Sequence, residues 1–245
     1  MYSETDLVVI PLSYSVMLAV SLLLSLLLRG RSGWVRALPT ALVAILVLLL
    51  EIEKQRRNIA GVFYADGYSL YAFPLHYCSL FAFLFPLAEL CGRRLRRVFL
   101  PVSMATSLTV SIGILLVPQA ILGKATADIF TEFRFFHAFF FHMLVVLYLL
   151  LTVALGRYRP ERRDYALSAA AVAVYIAVAL PHALLLDVNY CNFLYSVIPE
   201  VDNIRLAIGQ VPYLIIQSAL LISGTLLSLW LYRRTYYLMM RIRRK

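Results

Sequence analysis

The stretch ALPTALVAILVLLL, residues 37 to 50, decides the architecture. It is apolar throughout but falls short of the roughly 20 residues that a helix needs to cross a bilayer. It reaches that length only by borrowing Trp34 and Ile52 at its ends. Six other apolar runs surround it: Val8 to Leu28 before it, then Ser69 to Leu90, Val98 to Val117, Phe135 to Leu155, Tyr165 to Leu186 and Gln210 to Tyr232. Counting residues 37 to 50 as a span gives seven crossings. Omitting it reverses the direction of every later one.

Composition sets the class within which that count is made. Hydrophobic residues form 62% of the chain and the mean hydropathy is +0.82, far beyond a soluble globular domain. The expected fold is all-α: a single domain over residues 1–245 of seven transmembrane helices. The longest connection has about 23 residues, too few to bury a core of its own.

Charge tests the count independently, because cytoplasmic connections carry the excess of Lys and Arg. With seven spans, residues 29–36, 91–97 and 156–164 and the tail from Arg233 share one face and hold 17 of the 23 basic residues. Only Glu89, Glu161 and Asp164, of 13 acidic residues, join them. The N-terminus is therefore expected outside and the tail RRTYYLMMRIRRK in the cytoplasm, against anionic lipid. The net charge of +10 reads as a topology signal, and no nucleic-acid partner is needed to explain it. Glu4 and Asp6 precede the first apolar run while Arg29, Arg31 and Arg36 follow it. This order predicts a retained anchor in the cell membrane rather than a cleaved signal.

Costly polar groups interrupt the apolar runs. AFPLHYCSL, residues 72–80, sets His76 and Cys78 inside the third, and FFHAFFFHMLVV sets His142 inside the fifth. Ionisable groups at such depth are commonly functional. On regular helices, at 1.5 Å per residue, His76 and His142 would both lie roughly 11 Å below the outer boundary. His137, His182, Asp187, Asn189 and Tyr190 cluster near the same leaflet. A regular helix separates His76 from Cys78 by about 200°, unless Pro74 distorts the turn. His137 and His142, five residues apart, are separated by roughly 140°. A pair across helices, Cys78 or His76 with His142, is the better geometry.

A Cys and His pair suits acyl transfer, since imidazole helps form the thiolate and sulfur can carry an acyl group. Asn189, Tyr190 or freed backbone N–H groups could stabilise the oxyanion. The same residues also have structural readings: cysteine packs as a small hydrophobe, and histidines can bond between helices. Glu51, Glu53 and Lys54 read as solvated charges at the outer end of the second helix. The six phenylalanines from Phe133 to Phe141 read as packing, and Arg134 as an interfacial snorkel. Cys91, Cys191 and Cys78 fall in different places, so no disulfide is evident. No motif demands a metal or an organic cofactor.

PLHYCSL, the histidine of FFFHMLVV, and NYCNFLYSVIP after the sixth run resemble the pattern of the YwaF-like seven-helix integral membrane proteins. The matching positions are Pro74, Leu75, His76 and Cys78, then His142, then Asn189, Tyr190, Leu194 and Pro199. The family's eukaryotic relatives include a transmembrane acyltransferase of phospholipid remodelling that uses a Cys and a His. The resemblance implies Cys78 as nucleophile and His142 as base.

The expected function is thus a lipid acyltransferase or acyl-ester hydrolase working in the outer half of the membrane on a phospholipid or fatty-acyl substrate. Cys78, His142 and His76 would be catalytic, with Asn189, Tyr190 and His137 holding substrate. The alternative is a non-catalytic protein that binds or moves a small solute or lipid. Transport needs a polar path to the inner face, and the inner halves of the third and fifth runs offer few polar residues. A third reading is a scaffold contacting a partner through its tail or outer connections.

Overall fold

The computed structural model describes residues 3–63, 68–123 and 126–242. The last three residues of the basic tail, Arg243, Arg244 and Lys245, lie outside the described residues. Among those described, the regular structure is entirely helical: α1 (Glu4–Leu27), α2 (Leu38–Ile59), α3 (Phe81–Glu89), α4 (Gly92–Leu116), α5 (Pro118–Leu122), α6 (Phe133–Ala154), α7 (Arg163–Leu186), α8 (Pro199–Ile208) and α9 (Gln210–Ile242). Six of these are long and apolar enough to cross a membrane, the exceptions being α3, α5 and α8. The chain is a multi-pass membrane protein.

Two expectations about helix length need correction. The second helix is extended at both ends, by a 3-10 turn at Val35–Ala37 as expected and, well past the expected Ile52, through EIEKQRRNI to Ile59. Glu, Lys, Gln and Arg are good helix formers. Pairs at i,i+3 and i,i+4, Glu51–Lys54 at 2.7 Å and Glu53–Arg57 at 2.6 Å, support the added turns. The third run forms no continuous helix. A 3-10 turn over Leu70–Ala72 is followed by extended backbone, Phe73 having ψ 142° before Pro74, as the clash with a proline ring requires. Helical geometry begins with a 3-10 turn at Tyr77–Leu80 and continues into α3.

Backbone that is not helical within a membrane protein must find its hydrogen bonds elsewhere in the protein. Here side chains of distant elements supply them. Asn58 of α2 clamps Ser69 twice, donating to its carbonyl and accepting from its N–H, both at 3.0 Å. Gln55 donates to the Ala72 carbonyl at 2.7 Å. The hydroxyls of Tyr175 and Tyr190 donate to the Leu75 and Leu70 carbonyls at 2.9 and 2.6 Å. Asn58 is completely buried, so Asn58→Leu strands a donor and an acceptor of Ser69. It is expected to cost about 2 kcal/mol or more, read as a lowered melting temperature in nanodiscs; an unchanged melt would mean that water replaces the clamp.

The core lies along α4 and α6, each 61% buried over its most apolar window against 17% for α1 and α9. α4 packs on α3, α6, α7 and α9, while α6 also receives α1 and α2. The buried face of α4 carries Ser103, Thr106, Ser107 and Ser111, small residues that let helices approach closely. Ser103 and Thr106 return their hydroxyls to the Phe99 and Val102 carbonyls, each at 2.8 Å.

The basic segments gather at one end of this bundle. Arg36 donates to the Leu155 carbonyl. Arg157 reaches Glu89 at 2.8 Å and Ala37 at 3.4 Å. Tyr237 donates to the Pro160 carbonyl at 3.2 Å. The arginines at 93–97, expected in a connection, form the opening turns of α4.

Candidate functional site

At the end of the bundle away from these arginines lie two cavities that share a wall formed by the broken segment before α3, α5 and α6, the first also bordered by α2 and the second by α4, α9 and residues 189–192. The smaller, of 160 Å³, is bordered by Glu51, Lys54, His137, His76, Cys78 and His142. The larger, of 530 Å³, is bordered by His76, Cys78 and His142 together with Thr109, Gly113, Asn189 and Cys191. The three candidate catalytic residues therefore belong to both cavities. Tyr71 and Arg134 also border both.

The loss of helix before α3 places two of them. His76 is the N-cap of the Tyr77–Leu80 turn, with ψ 149°, so the helical angle between His76 and Cys78 does not apply. Cys78 falls in the first turn after that cap. His76 donates from Nε2 to the Tyr71 carbonyl at 2.9 Å. Its ring meets the edges of Tyr71 and Tyr190 at 4.5 and 5.3 Å.

His142 is oriented by its own helix. Nδ1 lies 2.6 Å from the Ala138 carbonyl. A carbonyl only accepts, so Nδ1 carries the proton and Nε2 carries the lone pair. That Nε2 is buried and has no hydrogen-bond partner. In the neutral ring the basic nitrogen is thus left unengaged.

Glu51 and Lys54 correct the reading of solvated charge, being 5% and 6% exposed and paired at 2.7 Å. Gln55 donates to Glu51 Oε1 at 2.9 Å. His137 Nε2 stands 3.7 Å from Glu51 Oε2, and neither atom makes a hydrogen bond. His137 and His142 both border the smaller cavity despite their angular separation, because it is wider than a single point. Glu53 remains at the surface with Arg56 and Arg57, as expected. The missed signal was periodic: Glu51, Lys54, Gln55 and Asn58 recur at i, i+3, i+4 and i+7, which is the buried stripe of a helix.

The remaining candidates have defined partners. Asn189 donates to the Tyr195 carbonyl at 2.9 Å and accepts from the N–H groups of Leu194 and Tyr195, so its amide folds its own loop. Tyr190 anchors the broken segment through Leu70. His182 is exposed and returns Nδ1–H to the Val178 carbonyl at 2.7 Å; it borders neither cavity. Arg134 pairs with Glu132 at 2.7 Å and is 39% exposed. It therefore connects the cavity wall with the surface. Of the phenylalanines, Phe139 and Phe141 are buried in the core.

The model of the TMEM164 family matches residues 1–232. Comparisons with curated proteins and with solved structures give no match.

Proposed function

The chain belongs to the TMEM164 family, a family of membrane proteins, and from that premise we propose that it is a membrane-embedded lipid acyltransferase or acyl-ester hydrolase. The observation that carries this reading is the unengaged, buried Nε2 of His142 on a cavity wall shared with Cys78. The kinship to YwaF-like proteins and their acyltransferase relatives belongs to the same proposal. So does a cell-membrane location with the arginine-rich end in the cytoplasm, the N-terminus outside and the broken segment as a seventh crossing.

In this scheme His142 Nε2 takes the Cys78 proton and the thiolate attacks the ester carbonyl carbon of a lipid. The new C–S bond forms as the ester C–O bond breaks, and the alcohol leaves with the proton returned by the imidazolium. An acceptor hydroxyl or water then attacks the thioester, yielding a new ester or a free acid and restoring the thiol. The N–H groups at the start of the Tyr77–Leu80 turn are suited to the oxyanion. Arg134, half-exposed on the wall, is suited to a lipid phosphate. His76 orients the turn that carries Cys78, while Tyr190 and Asn189 fix the segments around it. His137 borders the smaller cavity as a substrate contact.

The test is Cys78 labelling by a lipid-like electrophile in membranes, in a background with Cys91 and Cys191 replaced. The expected result is rapid modification that falls ~100-fold or more in His142→Ala, the low end of a general-base contribution. Slow modification indifferent to His142 would make Cys78 a packing residue and favour a site that only binds lipid or a small solute.

A further inference from the structure

The arginine-rich end holds a separate cavity of 310 Å³, whose wall includes Arg93, Arg96 and Arg97 of α4 and Arg157, Arg159 and Arg163 around the start of α7. A general excess of cytoplasmic Lys and Arg explains their sign but not their convergence. Arg29, Arg31 and Arg94 are basic residues of the same connections and do not border it.

Glu161 and Asp164 also border this cavity, but they and the adjacent Glu89 are already occupied. Asp164, 1% exposed, accepts from the Tyr158 hydroxyl and the Glu161 N–H, both at 2.7 Å. Burial, and then donation to Asp164, push the Tyr158 phenol well above its ordinary range, so it stays a donor there. Glu161 pairs with Arg163 at 2.9 Å. Glu89 takes Arg157 at 2.8 Å, though Arg157 Nη2 lies off hydrogen-bond geometry and stays unsatisfied. Arg96 is 3.9 Å from the same carboxylate. Among the described residues, Arg93 and Arg97 have no acidic partner. α4 also opens at Gly92 with no side chain capping its first turn, leaving N–H groups that favour an anion.

We infer that this cavity binds a dianionic phosphate monoester, held by Arg93 and Arg97 with Arg96 and Arg157 behind them. Guanidinium groups meet phosphate oxygens in paired, charge-assisted bonds. The phosphate could be presented by a lipid headgroup or arrive free from the aqueous phase, and the two sources are separable. The site is independent of Cys78 and His142, which border cavities at the other end of the bundle.

The experiment uses the full chain in nanodiscs of phosphatidylcholine containing phosphatidic acid, or an equal fraction of phosphatidylserine, with bound lipid read by native mass spectrometry. Retention of phosphatidic acid is expected to exceed that of phosphatidylserine and to fall ~tenfold or more in Arg93→Gln/Arg97→Gln. Arg29→Gln/Arg31→Gln removes the same charge from the same end and is expected to change it less than ~twofold. Arg93 and Arg97 are exposed, and an unchanged melting temperature checks that the variant folds. Inorganic phosphate is titrated in parallel. Stabilisation of wild type by phosphate, lost in the Arg93/Arg97 variant, supports the free source, and retention of phosphatidic acid without it supports the headgroup. Equal loss in the two double variants, equal retention of the two lipids with no specific phosphate effect, or no binding of either probe would overturn the inference.

Discussion

Replacing Arg157 with Met is expected to destabilise the bundle by about 3–5 kcal/mol, the cost typical of removing one partner from a buried pair. The Glu89 side chain is completely inaccessible and its cation only 5% exposed. The Tyr148 hydroxyl donates to Glu89 Oε1 at 2.9 Å while its ring stacks on Phe85 at 3.8 Å. With Arg157 gone, Arg96 at 3.9 Å is the remaining cation beside the carboxylate. The pair's net value is smaller than that penalty, because two ions have been removed from water to form it. Arg157→Met/Glu89→Leu should therefore recover most of the stability. Melting temperatures of the two variants in nanodiscs decide the matter. A double variant no better than the single one would show that Tyr148 or the cavity beyond Arg157 depends on the carboxylate itself.

Lys54→Met should have an effect of similar size at the opposite end, about 3–5 kcal/mol, since it leaves the buried Glu51 with only the Gln55 donor and a distant His137. Here the compensated variant carries functional information. Glu51→Leu/Lys54→Met should melt near wild type, yet it replaces two charged walls of the cavity shared by Cys78 and His142 with hydrocarbon. If Cys78 labelling remains fast in that variant, the charged pair is structural. If it slows while the melt holds, the pair tunes the thiol and imidazole through their common cavity.

The sequence made some of this readable and concealed the rest for identifiable reasons. Hydropathy located the six long helices, and the charge count anticipated the segments that meet around Arg36, Arg157 and Tyr237. Hydropathy misplaced the end of α2, because charged side chains lower a hydropathy sum even when a helix buries them in pairs, as Glu51 and Lys54 do. It also drew a helix through Pro74, where the backbone bonds go instead to Gln55, Asn58, Tyr175 and Tyr190. Those partners lie on other elements, and no local pattern announces a bond across so much sequence. His76, Cys78 and His142 stood out because each interrupts an apolar run. Lys54 lies just past Ile52, where the second run was expected to end, so its charge carried no warning.

The broken segment before α3 has a consequence for how the protein is made. Two of its backbone carbonyls wait for hydroxyls encoded 100 and 120 residues later, on Tyr175 and Tyr190. During synthesis, Gln55 and Asn58 are already present when residues 69–76 emerge, but α7 is not. Such late, long-range closure is slow compared with local helix formation. Until Tyr175 of α7 and Tyr190 beyond it arrive, the Leu75 and Leu70 carbonyls lack their donors. Its settled position against α2 and α7 is therefore a product of late assembly, and truncations ending before Tyr175 should leave it accessible to water-soluble reagents.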